Sequence, residues 1–143
     1  MTSYTTRMPP TPKVVLEIDD NTPADLPPFT HDVSMWSFDD DLNLATRTGA
    51  EVFRKMHEAA DSSRFRGYPE RAARGTVELF DSFVDASEVT WLTVAELGRE
   101  RSWLPRDFPD HSVVRTLHAL FGAIDAVATQ FGPDRVRLVF AFV

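Results

Sequence analysis

The sequence contains no cysteine, and this absence excludes several kinds of chemistry at once. Without thiols the chain cannot form a disulfide, a thiolate zinc site or a cysteine nucleophile. The absence is compatible with a reducing compartment, and we expect a cytoplasmic protein. No run of about 18 apolar residues occurs either, so we expect no transmembrane helix and no membrane partner. The first residues also lack the apolar core of a signal peptide.

Lysine is scarce, with two residues against thirteen arginines, and the surplus of acids gives a formal net charge of −7. A negative net charge argues against non-specific binding to nucleic acid. It is compatible with docking on a basic protein partner. The 143 residues are enough for one domain with a sizeable core. We expect residues 1–12 to be a flexible lead-in and residues 13–143 to form that single domain.

Five apolar runs have the composition and spacing of β-strands. They cover residues 13–18, 34–38, 76–80, 88–92 and 135–143. The run at 34–38 is short enough to be an apolar plug instead. Residues 76–87 also fit helical spacing, which leaves a helix open there beside a hairpin of 76–80 with 88–92. The last run is apolar on both faces, which is typical of a central strand covered on both sides.

Three other segments carry the signals of helices. Residues 48–60 and residues 93–98 each begin with Thr-x-x-Glu, the pattern of a capping box. Residues 111–131 are the longest segment with helical apolar spacing, and a Gly-Pro pair ends them. The order of elements predicts an α+β fold. We expect a single compact domain with a mixed or antiparallel sheet, whose central C-terminal strand is packed by one long and one or two shorter helices.

Two short motifs together resemble a group of small phage and bacterial proteins. Trp91 begins the segment WLTVAEL, and Val136 begins the segment VRLVF. Members of that group carry a WLT-x-x-EL segment and end in a VR(I/L)VF strand, often with a final acidic residue and Asn. Here the strand ends in Ala141-Phe142-Val143, so that polar ending is absent. The resemblance implies a phage-linked accessory protein, and it brings no residue roles with it.

The segment SSRFRGYPERAARG, residues 62–75, places four arginines in a chain of negative net charge. We call it the arginine loop. Guanidinium groups bind phosphate and carboxylate through paired hydrogen bonds, and a tyrosine ring can pack against such a ligand. The alternative is a solvated loop whose arginines pair with acids such as Glu70 or Glu78. The predicted ligand-binding residues are Arg64, Arg66, Tyr68, Arg71 and Arg74.

Two further clusters are candidate contacts for a protein partner. Trp103 lies between Arg101 and Arg106 in a proline-rich loop, and tryptophan with arginine is typical of interface anchors. The alternative is that the Trp103 side chain folds back on the core. The second cluster is the longest acidic run, which is a contact for a basic partner or else a turn or helix cap. Its residues are Asp39, Asp40 and Asp41.

No pattern for a catalytic centre or a bound metal stands out. The four histidines do not form an H-E-x-x-H motif, and the acidic run lacks the glycine and glutamate of a calcium loop. The sequence has no G-x-S-x-G nucleophile motif and no Walker or dinucleotide-binding glycine pattern. We therefore expect no metal and no cofactor.

These observations favour a non-enzymatic binding protein, a phage accessory or counter-defence factor. Its ligand would be a protein partner or an anionic small molecule such as a nucleotide. One alternative is an immunity or inhibitor protein that covers a basic active site with its acidic surface. A second is a small hydrolase or transferase acting on nucleotides, which requires a side chain with a displaced pKa beside the arginines. The sequence leaves homo-oligomerisation open.

Overall fold

The computed structural model describes residues 11–37, 47–61, 64–99 and 112–143, and these form an α+β fold. The strands are β1 (Pro12–Ile18), β2 (Ser34–Ser37), β3 (Val89–Thr93) and β4 (Val136–Phe142). The helices are α1 (Arg47–Asp61), α2 (Arg74–Asp81), α3 (Val94–Arg99) and α4 (Ser112–Phe131). Short 3₁₀ turns at Ala86–Glu88 and Pro133–Arg135 lead into β3 and β4.

The four strands form one sheet in the order β2-β1-β4-β3, and every pairing is antiparallel. The prediction of a central strand near the C-terminus is confirmed, because β4 pairs with β1 on one side and β3 on the other. Leu138 lies opposite Leu16 of β1 and opposite Leu92 of β3. The residues of 34–38 that the structure describes form a strand at the edge of the sheet, rather than a plug.

One side of the sheet, which we call the apolar face, carries the main core. Alternate residues of β1, β3 and β4 point to this side, as the two-residue period of a strand requires. Helices α1, α3 and α4 cover it, and Phe53 of α1 meets Phe140 of β4 edge to face at 5.1 Å between ring centroids. The buried core residues include Leu16, Val52, Phe53, Met56, Leu92, Leu97, Leu117, Leu120, Ile124, Leu138 and Phe140.

The opposite side, which we call the mixed face, has an apolar part and a charged part. The apolar part packs against Phe80 of α2 and against Tyr68 of the arginine loop. Its buried strand residues are Val15, Val89, Val139 and Ala141. The charged part consists of Glu17 on β1 and Arg137 on β4, which are directly opposite each other in the register. The central strand is thus covered on both sides, by helices on one and by a helix with loops on the other.

The predicted strand at 76–80 is wrong, because this segment lies within helix α2. Buried Ala73, Thr76 and Phe80 recur at helical spacing and face the sheet. The predicted hairpin of 76–80 with 88–92 is wrong for the same reason, since β3 pairs with β4 instead. The helical alternative for this region holds as far as Asp81, and irregular backbone follows.

The signals at the ends of α3 and α4 act as predicted. Thr93 and Glu96 form a reciprocal capping box: the Thr93 N–H donates to Glu96 Oε1 at 3.0 Å, and the Glu96 N–H donates to Thr93 Oγ1 at 3.2 Å. After α4, Gly132 adopts a φ of 108°, and its N–H donates to the Ala128 carbonyl at 2.8 Å. Helix α1 already includes Arg47, one residue before its predicted start.

Both predicted protein-contact clusters, Trp103 with its arginines and the run Asp39 to Asp41, lie outside the described residues. So do residues 1–10 of the predicted lead-in. Its last two residues belong with β1, because Thr11 exchanges backbone hydrogen bonds of 3.0 and 2.9 Å with Val143. None of the helices in the described part of the chain is long and apolar enough to cross a membrane.

Candidate functional site

A buried ion pair lies at the charged end of the mixed face. Glu17 is 0% exposed and Arg137 is 6% exposed, and Arg137 Nε donates to Glu17 Oε1 at 2.8 Å. The other carboxylate oxygen accepts hydrogen bonds from the Ala73 N–H at 2.7 Å and the Thr76 hydroxyl at 2.6 Å. Since Ala73 precedes the first turn of α2, Glu17 caps this helix from a distant strand. The carboxylate thus fixes β4 and α2 together.

The other side of the Arg137 guanidinium contacts two loops. It lies 3.7 Å from the centre of the Phe29 ring, and its Nη2 donates to the Arg71 carbonyl at 3.2 Å. Burial lowers the pKa of Arg137, and the Glu17 carboxylate partly offsets that shift. Arg137 therefore joins the sheet to the arginine loop and to residues 19–33, which connect β1 to β2 and which we call the Phe29 loop.

The loop that carries Phe29 is anchored at its base by Asp19, which is 1% exposed. Its carboxylate accepts hydrogen bonds from the N–H groups of Phe29 at 2.6 Å and Thr22 at 3.0 Å, and Arg135 Nη1 approaches it to 3.4 Å. Burial alone would raise the pKa of Asp19, but the backbone hydrogen bonds outweigh burial and lower it. The carboxylate is thus held ionised, and it fixes the position of Phe29.

Between these two loops lies a cleft of about 430 Å³, which we call the central cleft. The Phe29 loop forms one wall, the arginine loop forms the other, and two sheet residues form the floor. The lining residues are Pro27, Pro28, Phe29, Thr30, Glu70, Arg71, Trp91 and Arg137. A volume of roughly 300–1,000 Å³ is typical of sites for small molecules.

Two neighbouring clefts open into the same region. A side cleft of about 240 Å³ has a mainly apolar surface, although Thr93, Asp134 and Arg137 are among its lining residues. It shares Phe29, Trp91 and Arg137 with the central cleft. An outer cleft of about 560 Å³ lies on the opposite side and shares Thr30 and Arg71. The central cleft therefore adjoins both the side cleft and the outer cleft and shares residues with each.

Both walls of the central cleft contain a strained residue. Phe29 has a φ of 62° and Arg71 a φ of 55°, and they are the non-glycine residues of the described ranges with positive φ. Side chains with a Cβ adopt this left-handed region at a cost, and such residues cluster at functional sites. The Asp19 and Arg137 hydrogen bonds hold the two backbones in place.

Arg71 is the residue of the arginine loop that reaches the central cleft. Its side chain is exposed, and Nη1 donates to the Thr30 carbonyl at 3.2 Å across the cleft. A guanidinium has five N–H donors in a planar arrangement, so this contact leaves donors for a bound anion. Glu70 lies beside it in the lining.

Arg66 contacts Trp91 of the cleft floor and lines none of the three clefts, so its role is structural. Its guanidinium pairs with both carboxylate oxygens of Glu96, at 2.8 and 2.5 Å, and lies 5.0 Å from the centre of the Trp91 ring. The hydrogen bonds from Arg66 lower the pKa of Glu96 to about 2. Arg66 also donates to the Trp91 carbonyl at 3.0 Å, and the Gly67 N–H donates to the Val89 carbonyl at 2.8 Å. The arginine loop thus covers the outer edge of β3 and fixes Trp91.

The remaining predicted ligand-binding residues are not brought together. Arg74 forms an exposed pair with Glu78 at 3.0 Å, as in the alternative interpretation, and it borders only the outer cleft. The Tyr68 hydroxyl donates to Asp81 Oδ1 at 2.6 Å, and burial together with this acid raises the pKa of Tyr68. Arg64 is exposed and lines none of the three clefts.

The described histidines are also far apart. His31 lines the outer cleft, His57 packs in α1 with its ring 4.6 Å from that of Phe65, and His118 is exposed on α4. Within the ranges given above, no group of three or more histidine or acidic side chains is arranged to hold a metal ion. The clefts on the mixed face are therefore the candidate site.

Sequence reasoning missed most of the residues that build this site, namely Glu17, Asp19, Phe29, Arg135 and Arg137. A usable signal did exist for two of them. Glu17 interrupts the apolar run KVVLEI, and Arg137 interrupts RVRLVF. A charge inside a buried strand requires a partner, and Glu17 and Arg137 have opposite signs, so each can be the partner of the other.

The fold and the clefts define an α+β protein with a candidate small-molecule site on one side of an antiparallel sheet. Comparisons of the chain with models of known families, with curated proteins and with solved structures find no match.

Proposed function

We propose that the protein is a non-enzymatic binding protein that holds an anionic small molecule in the central cleft. The observation that carries this proposal is the pair of left-handed residues, Phe29 and Arg71, on opposite walls of one cleft. Strain of about 1–3 kcal/mol at each such residue persists only where surrounding contacts impose it. Here the strain shapes the walls and directs an arginine into the cleft.

The walls are held in place before any ligand arrives. Asp19 fixes the Phe29 backbone, Arg137 fixes the Arg71 carbonyl, and Glu17 fixes Arg137. A site whose side chains are already positioned loses less conformational entropy on binding. This preorganisation supports binding of a small molecule more than wrapping around a flexible partner.

The titratable groups support binding rather than catalysis. The acids of this region with displaced pKa values, Asp19 and Glu96, are both displaced downwards and remain ionised in hydrogen-bonded pairs. A general acid or base at neutral pH requires a pKa near 7. A phage accessory or counter-defence factor that sequesters an anionic small molecule would need a site of this kind.

Isothermal titration calorimetry with three anions tests the proposal: inorganic phosphate, AMP and indole-3-acetate. We expect at least one of them to bind with one-to-one stoichiometry. Arg71→Ala should weaken that binding about 10-fold or more, because a charge-assisted hydrogen bond contributes roughly 1.5–3 kcal/mol. Arg64→Ala removes the same charge from an exposed position of the same loop, and it should change the affinity less than about twofold.

Two results contradict the proposal. If none of the three anions binds to the folded protein, the central cleft is not an anion site. If Arg64→Ala weakens binding as much as Arg71→Ala, the effect comes from overall charge and not from the cleft.

A further inference from the structure

From the shared lining of the central and side clefts, we infer a ligand class: a planar aromatic ring that carries a single carboxylate. This inference rests on the proposed function and narrows it. Phe29, Trp91 and Arg137 line both clefts, so the two clefts are adjacent, and the inferred ligand occupies both. The apolar side cleft takes the ring, and the central cleft takes the acid group.

The ring is placed by the two aromatic residues common to both clefts. Trp91 is fixed from below by Arg66, and Phe29 is fixed by the Arg137 guanidinium 3.7 Å from its ring centre. Pro133 and Val136 complete the apolar lining of the side cleft. Aromatic side chains in fixed positions favour offset or edge-on contacts with a flat ring over contacts with a flexible chain.

The number of charges on the acid group follows from the charges around the central cleft. Arg137 is already paired with buried Glu17, and Glu70 is a further acid in the lining. Among the described residues that line this cleft, Arg71 is therefore the cation that can bind the acid group of a ligand, because the charge of Arg137 is neutralised by Glu17. A second negative charge on the ligand would face Glu70, and Asp134 lines the side cleft. One carboxylate matches one guanidinium through two parallel hydrogen bonds.

The same charges disfavour a nucleotide as the ligand. A phosphate monoester carries nearly two negative charges at neutral pH, and di- and triphosphates carry more. The three clefts have no glycine-rich loop whose backbone N–H groups could bind phosphate oxygens. Besides Arg71, their lining contains two arginines that already have acidic partners: Arg137 is paired with Glu17, and Arg74 is paired with Glu78. Trp91 in the cleft floor could stack on a nucleobase, but the clefts have too few available cations to balance the charges of the phosphate.

Calorimetric titrations of the wild-type chain with four compounds test the inference. They are indole-3-acetate, its uncharged analogue indole-3-ethanol, AMP and inorganic phosphate. We expect indole-3-acetate to bind about tenfold more tightly than each of the others, because it alone combines the ring with a single carboxylate. In Arg71→Ala, indole-3-acetate should bind less than about twofold more tightly than indole-3-ethanol, since the difference in affinity comes from the guanidinium.

A pair of phenylalanine variants tests the ring site. Phe29→Leu keeps an apolar side chain but removes a ring from both clefts, and it should weaken indole-3-acetate about fivefold or more. Phe83→Leu makes the same change at an exposed position, 56% accessible, that lines none of the three clefts. It should leave the affinity unchanged.

The outcomes separate this inference from the function on which it rests. If AMP or phosphate binds as tightly as indole-3-acetate, and Arg71→Ala weakens that binding, the anion site stands and the aromatic carboxylate is wrong. If indole-3-ethanol binds as tightly as indole-3-acetate, the carboxylate arm is wrong. If no anion binds, both the function and the inference are wrong. The ranking of the four compounds uses only the wild-type protein, so it decides the ligand class even where a variant fails to fold.

Discussion

The two faces of the sheet are built from the same strands but are covered by different kinds of structure. On the apolar face, three helices cover a continuous core of aliphatic and aromatic side chains. On the mixed face, one helix of eight residues and two loops cover a smaller apolar cluster and a buried ion pair. One side of the sheet is thus packed throughout, and the other side supports the clefts in which we propose that a ligand binds.

Strand alternation is the physical origin of this difference. In β1, Val14, Leu16 and Ile18 point to the apolar face, whereas Val15 and Glu17 point to the mixed face. In β4 the charged residue is again on the mixed face, opposite Glu17. A one-residue shift in the register would exchange the faces and bury Glu17 in the main core, so the ion pair also specifies the register.

The largest effect should come from the apolar face. Phe53→Ala removes a side chain that is 0% exposed and contacts Phe140, and it should lower the free energy of unfolding by about 4 kcal/mol. Urea denaturation measures this loss. The ligand affinity of the folded variant should be unchanged, because Phe53 lies on the other side of the sheet from the clefts.

Phe80→Ala is the matched variant on the mixed face, since Phe80 is equally buried and packs α2 onto the sheet. It should lower both stability and ligand affinity, because α2 and the arginine loop are held by the same Glu17 contacts. If Phe53→Ala weakened the ligand as much as Phe80→Ala does, the separation of the two faces would be wrong.

The next largest effect should come from the ion pair. Glu17→Gln leaves the buried Arg137 guanidinium without its charged partner, and it should cost about 3 kcal/mol in unfolding free energy. The double variant Glu17→Val with Arg137→Val removes both charges. It should recover more than half of that loss, although the Ala73 N–H and the Thr76 hydroxyl lose their acceptor.

A double-mutant cycle built from the single variants Glu17→Val and Arg137→Val and their double variant separates the pair from its neighbours. A double variant less stable than both single variants would contradict this account. We expect the double variant to lose ligand binding even where its stability is recovered, because Arg137 is the contact that joins the two loops.

A smaller effect should appear as a pH dependence. The hydrogen bonds from Arg66 lower the pKa of Glu96 from an ordinary value of 4.5 to about 2. A carboxyl group whose pKa is lowered by folding stabilises the protein at pH values above its pKa in the unfolded state. This contribution is lost as the pH falls through its pKa in the folded state. The free energy of unfolding should therefore fall by about 2 kcal/mol between pH 5 and pH 2 because of this group.

Chemical denaturation of the wild type and of Glu96→Gln across this pH range measures the contribution. The variant should be less stable at pH 7, and its stability should fall less steeply below pH 5. Equal slopes for the two proteins would mean that the Arg66–Glu96 pair contributes nothing to acid unfolding.

Local sequence patterns predicted the elements whose signals are local. Three local signals were sufficient to predict their elements: the capping box at Thr93 for α3, the Gly-Pro pair for the end of α4, and the alternation for β4. The pattern at residues 76–87 left strand and helix open, because Ala73, which precedes α2, has no capping side chain to signal a helix start. The cap is Glu17, which lies 56 residues earlier in the chain, and no local window contains it.

The candidate site could be predicted only in part for the same reason. Arg71 was identified because it lies in a visible cluster of arginines, but that cluster does not share one site. Arg66 binds a glutamate beside the floor, and Arg74 binds a glutamate at the surface. The cleft combines three other segments, around Phe29, Trp91 and Arg137, whose proximity follows from the sheet order β2-β1-β4-β3.

The central position of β4 also has a consequence for how the chain folds. β4 lies between β1 and β3 in the sheet and pairs with both. The sheet therefore cannot join β1 to β3 until β4, Val136–Phe142, has been synthesised. The contact of Glu17 with Arg137 spans 120 positions of the chain. Pairings at such long separation form slowly, since the entropy of closing a long loop is lost before contacts form. We therefore expect sheet assembly to be slow, with the apolar segment Val14–Leu16 exposed until β4 pairs with β1.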